Sequence, residues 1–146
     1  MPLPRLEHWH TRAFHDFLLN EVNQPFVWGT RDCCLFAADA ILAYTGVDIA
    51  DDFRGKYADE DSAFALIQSV TGGTTVAAAA AHCAAKHGLL EHEYPLMAQR
   101  GDLVVIANGD TLIAGVVHLN GRHVVSVTEH GVVRLPITKV VRSWAV

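Results

Sequence analysis

Leu6, Trp9, Ala13, Phe17 and Leu18 recur at helical spacing, with histidines and charged residues between them. This predicts an amphipathic first helix that ends near Asn20 to Gln24, where Pro25 stops it. Phe26 to Arg31 reads as a short extended or turn segment. Asp32 is a good N-cap, and Cys33 to Thr45 reads as a buried helix closed by Gly46. A polar stretch follows from Asp48 to Asp61. Ser62 to Val70 has a helical pattern, Gly72-Gly73 breaks it, and Thr75 to Lys86 is an alanine-rich helix ended by Gly88. After Pro95 the pattern changes. Leu103 to Ile106, Ile113 to Leu119, His123 to Val127 and Val132 to Leu135 are short and rich in Val and Ile. Asn108-Gly109, Asn120-Gly121 and His130-Gly131 separate them as turns. Helices first and an antiparallel meander second predict an α+β fold, expected as one domain over residues 1–146.

Composition narrows the function classes. The chain has 146 residues, 51% hydrophobic and 18% charged, which is enough apolar material for a core and argues against disorder. Its net charge is −5, and the Lys and Arg residues are scattered rather than striped, so no nucleic-acid footprint is expected. Met1 to Glu7 has no apolar run behind a basic start, so no signal peptide is expected. Val70 to Ala85 is too weakly hydrophobic to predict a membrane span. Three cysteines, Cys33, Cys34 and Cys83, make a poor disulfide framework and suit reducing conditions. His82, Cys83, His87 and His92 lack the spacing of a zinc site, so neither metal nor cofactor is expected. Asp39 lies within the apolar helix and calls for a partner, for which Arg54 is the obvious candidate.

Trp28-Gly29-Thr30-Arg31-Asp32-Cys33-Cys34 carries the sharpest chemical signal. A cysteine in the first turn of a helix lies beside unpaired backbone N–H groups and the positive end of the dipole, and both favour the thiolate. Arg31 adds positive charge nearby, and Gly29 allows a sharp turn before the thiol. Cys33 is therefore a candidate nucleophile. The alternative is an inert core cysteine among Leu35, Phe36 and Ala37. Cys34 is assigned to the core, because its period continues through Ala37, Ala38, Ile41 and Leu42.

Two segments, Pro25 to Cys33 and Arg100-Gly101-Asp102-Leu103-Val104-Val105, resemble the NlpC-type superfamily of cell-wall cysteine peptidases. A narrower similarity is to an uncharacterised phage and prophage domain family. It rests on Leu35 to Ala40 after Asp-Cys, on Phe53-Arg54-Gly55-Lys56-Tyr57, on Gly131 to Pro136, and on Trp144. The resemblance implies a papain-like fold with N-terminal helices packed on an antiparallel meander, and Cys33 in the nucleophile's place. In active relatives the base is a His two residues before a Gly on the first meander hairpin. That position is Ile113 here, before Gly115, and the residue that orients the base falls near Val125 or Ser126. Ile cannot accept a proton.

Among other histidines, His123 is the weak candidate base, because a shifted hairpin register would bring it round. His118 is expected on the opposite face and His130 at a turn. The resemblance thus implies a catalytically degenerate component of a phage tail tip or baseplate, made in the host cytoplasm and carried on the virion tail. Its partners would be hub, distal-tail and tail-fibre proteins. The second reading is an active endopeptidase or amidase that cleaves peptidoglycan stem peptides through Cys33 during DNA entry. A third is a cellular binding module unrelated to phage.

Overall fold

Helix α2 (Cys33–Thr45) begins where the sequence places it. The Asp32 carboxylate caps it by accepting the Leu35 N–H at 3.0 Å, and Gly46 closes it in the left-handed region. This computed structural model describes residues 3–146; Met1 and Pro2, part of the stretch read for a leader, lie outside the described residues. Three other α-helices surround α2: α1 (Phe14–Glu21), α3 (Glu60–Thr71) and α4 (Val76–Lys86). Thr75 caps α4, while Asp59 and Ser62 form a capping box at α3. No single helix is long and apolar enough to cross a membrane.

The first helix departs from the expectation. A π-helical turn at Trp9–Ala13 precedes α1, and the extra residue per turn rotates the apolar face. Phe14 is driven inward against Trp9 and Tyr44, while Leu6 is left exposed. Arg5 stacks over the Trp9 ring, 4.1 Å from its centroid.

Six antiparallel strands form one sheet in the order β1-β6-β2-β3-β4-β5: β1 (Leu90–Glu91), β2 (Leu103–Asn108), β3 (Thr111–Val117), β4 (His123–Thr128), β5 (Gly131–Pro136) and β6 (Val140–Ala145). The α+β class is as expected, but the sheet is more than a meander. The final strand crosses back to lie between β1 and β2, and neither it nor β1 was predicted. Arg142 and Ser143 interrupt the apolar run of β6, and β1 is a two-residue edge. Leu103, Val105, Ala114 and Val116 face the helices with Trp144. Val104, Ile106, Val117, Val124 and Val140 form a second cluster on the other face, with Ala98. Burial on both faces explains why β2 reads as a continuous apolar run instead of an alternating one.

Asp102 fastens helices to sheet at the start of β2. It is 3% exposed and accepts the N–H groups of Val146 and Gln99 at 3.1 and 2.9 Å, with His92 Nε2 at 2.8 Å and Arg5 at 3.5 Å. Tyr44 of α2 donates to the neighbouring Gly101 carbonyl. The expected Asp39–Arg54 clamp is present at 2.7 Å, with Asp48 as a second carboxylate on the same guanidinium. Asp102→Ala is expected to lower unfolding stability by roughly 3–5 kcal/mol, because it strands several buried donors at once. Urea unfolding of the variant checks this, and an unchanged midpoint refutes it.

Candidate functional site

The turn before α2 is held by one carboxylate. Asp32 is 1% exposed, and besides the cap it accepts the Gly29 N–H at 3.0 Å and the Tyr57 hydroxyl at 2.5 Å. Burial and the Asp32 charge push the Tyr57 hydroxyl pKa upward, which keeps it a donor. Gly29 has φ +80°, and a Cβ there would lie 2.4 Å from the Tyr57 carbonyl oxygen. Arg31 pairs with Glu21 at 2.6 Å, which directs its charge towards α1.

These contacts set Cys33 at the first position of α2, facing the sheet. It is 8% exposed. Hydrogen bonds from the Cys34 thiol and the Ala114 N–H draw the Cys33 thiol below its ordinary pKa, against burial and the nearby Asp32 charge. The same interaction, with burial, raises Cys34 well above the usual value. Cys34 is only partly buried, and Leu42, on the period that predicted a core position for it, is exposed. Cys83 lies deep on α4, and burial pushes it up to about 12.

A groove of about 350 Å³ opens beside Cys33. Its floor and walls include Phe26, Trp28, Phe64, Leu112, Ile113 and Val127, and its mouth carries Glu60, Glu129 and His130. Ile113 therefore shares the groove with Cys33, as the resemblance implies, but the β3 residue whose backbone meets the sulfur is Ala114. The fully buried helix-facing residues on β3 are Ala114 and Val116, one residue out of phase with the base position the resemblance puts at Ile113.

The histidines separate clearly. His123 begins β4 and contacts Asn120 at 2.9 Å, four residues from the Val127 that lines the groove, or roughly 13 Å along a strand. The structure does not bring it together with Cys33. His118 lies in the same distant loop, its pKa lowered by burial first and then by Arg134 and His123. His130, at the β4–β5 turn, is the histidine that reaches the groove. His82, His87 and His92 are each engaged by an aspartate, Asp52, Asp51 and Asp102 respectively. No cluster of three or more metal-ligating side chains occurs among the described residues.

With the geometry in place, comparison with known families is direct. A family model described as a domain of unknown function, DUF6950, matches residues 4–146. The chain belongs to that family. No curated protein and no solved structure matches it. The DUF6950 match takes in the whole architecture, from Arg5 over Trp9 to the last strand.

Tyr57 and Ser126 were the least legible participants. Tyr57 sits in a conspicuous motif, but nothing local shows that it reaches back to Asp32. Ser126 is 1% exposed, and its hydroxyl donates to the Ala114 carbonyl, so it holds the backbone beside Cys33. Gly29→Ala is expected to cost at least about 2 kcal/mol, through its left-handed backbone and the Tyr57 carbonyl. Thermal or urea unfolding reads this, and a neutral substitution contradicts the packing described.

Proposed function

We propose that this DUF6950 domain is a catalytically degenerate relative of the papain-like, NlpC-type cysteine peptidases, with a binding and bracing role at a phage tail tip or baseplate. One observation carries the degenerate reading. The β3 residues that line the groove beside Cys33 are Thr111, Leu112 and Ile113, and none of them carries the imidazole or carboxylate that a general base requires. The helix start, Ala114 and Cys34 stabilise a thiolate, but amide cleavage also requires a group that protonates the leaving amine. The tail setting rests on the resemblance of the segments around Cys33, Tyr57 and Asp102. Its partners would be hub, distal-tail and tail-fibre proteins.

His130 favours a second reading, because it and Cys33 line one groove. In that reading the Cys33 thiolate attacks a peptidoglycan stem-peptide amide. His130 protonates the departing amine, and water then releases the acyl group from sulfur. N–H groups at the start of α2 face the developing oxyanion.

Three measurements test these readings. Purified domain is expected to leave the turbidity of a peptidoglycan suspension unchanged; clearing that is lost in both Cys33→Ala and His130→Ala establishes the enzyme instead. Particles assembled with a gold-labelled domain are expected to carry label at the distal tail, and unlabelled particles remove the tail assignment.

The thiol itself gives the third. Alkylation follows the thiolate, which grows as pH rises through the pKa, so the Cys33 rate–pH curve is expected at lower pH than that of an ordinary cysteine. Cys34→Ala removes the largest stabilising contact and is expected to move the curve upward; a curve that stays in place shows that Cys34 is not the donor.

A further inference from the structure

β3 and β4 are paired at only two positions, Val116 with Val125 and Val117 with Val124. Continuing that register would pair Ile113 with Thr128 and Leu112 with Glu129, yet the strands part before reaching them. The cause lies at Ala114. Its carbonyl is taken by the Ser126 hydroxyl and so is not left for the ladder. Gly115 sits at the branch point, where a Cβ would lie 2.4 Å from the Val125 carbonyl oxygen. Beyond it the residues a continued ladder would have joined, Thr111 to Ile113 and Val127 to His130, form opposite rims of the groove.

The rims present strand edges. Backbone groups of alternate strand residues point the same way, so Leu112 directs its N–H and C=O across the gap as Ala114 does. On β4, the His123 carbonyl meets the His118 N–H on the β3 side, which sets Val127 to point back towards β3. Neither has a ladder partner on that side among the described residues. Such an edge is a template for another strand. Side chains define what kind. The lining is mainly apolar with Asn108, Thr111 and Thr128 along the rims, two carboxylates stand at the mouth, no Lys or Arg lines the groove, and neither Glu60 nor Glu129 is in an ion pair among the described residues.

We propose that the gap between β3 and β4 takes up an extended segment of a partner protein, which adds as a strand along the Leu112 and Val127 rims and places a lysine or arginine between Glu60 and Glu129. A rim of four residues spans roughly 13 Å, room for about four residues of the incoming strand. The inference rests on the proposed reading of this groove as a binding surface, and it holds whether or not a bound segment is also cleaved.

The test uses the whole domain and the capped heptapeptide TVKVKVT, with TVEVEVT, an N-methylated TVKVKVT and a soluble muropeptide alongside. TVKVKVT is expected to bind saturably and to slow amide exchange at Leu112 and Val127. TVEVEVT and the N-methylated peptide are expected to bind more weakly, and Glu129→Lys, on an exposed turn, to reduce TVKVKVT affinity by about two- to fivefold. Absent binding, equal binding of the acidic or N-methylated peptide, or protection elsewhere on the domain overturns the proposal. Muropeptide binding at these amides in place of TVKVKVT also overturns it. Mass spectrometry of the bound peptide keeps the two readings apart: an intact peptide agrees with both, whereas cleavage overturns the degenerate reading and leaves strand addition standing.

Discussion

A carboxylate buried as deeply as Asp32 is tolerated only if its lone pairs are met, and here three donors from different parts of the chain meet them. The Leu35 N–H fixes where α2 starts. The Gly29 N–H fixes the turn that delivers the chain to it, and the Tyr57 hydroxyl ties in the loop that leads to α3. Because the three are satisfied by the same two oxygens, they cannot move independently. Cys33 is the next residue, so its position against β3 is a consequence of this arrangement and needs no separate support. Asp102 does the equivalent work at the sheet, gathering Val146, Gln99 and Arg5 of the N-terminal arm. Two satisfied carboxylates thus set the spacing between helix start and strand, and the groove is the space they leave.

That spacing explains how the sheet can split without unravelling. The Ser126 hydroxyl takes the Ala114 carbonyl in place of a ladder donor, and no buried polar side chain is left unpaired among the described residues. β3 keeps its full pairing with β2, and β4 keeps its pairing with β5. The opening is therefore confined to one seam, bounded by Gly115 on one side and the β4–β5 turn on the other.

Much of this was legible in the sequence. Caps and breakers are local signals, so Asp32, Gly46, Thr75 and the α4 boundaries follow from residue type alone. The Asp39–Arg54 contact follows from the cost of leaving a carboxylate unpartnered. The failures have a common origin in frame. A π-helical turn shifted the N-terminal face and brought in Phe14, and a one-residue error in phase on β3 exchanged Ala114 for Ile113. Strand patterns with a period of two have no tolerance for such a slip. β6 was missed because its partners β1 and β2 are distant in sequence, and its own pattern is broken by Arg142, which pairs with Glu91 across the edge. His130 was set aside as a turn residue, since sequence cannot show that the turn folds towards Cys33.

On the degenerate reading proposed above, the comparison of Cys33 with Ile113 bears on how a nucleophile's position can outlast its chemistry. In a catalytic pair, the cysteine and the base are each held for the reaction, and the fold does not require either. Here Cys33 accepts backbone and thiol donors that need an acceptor, whereas the base position packs hydrocarbon against both core clusters. Replacing an imidazole by Ile at such a place removes a polar group from a half-buried site and adds apolar contact, a change that favours stability. On that reading, the asymmetry accounts for a sulfur kept at the helix start beside a β3 that lines the groove with Thr111, Leu112 and Ile113.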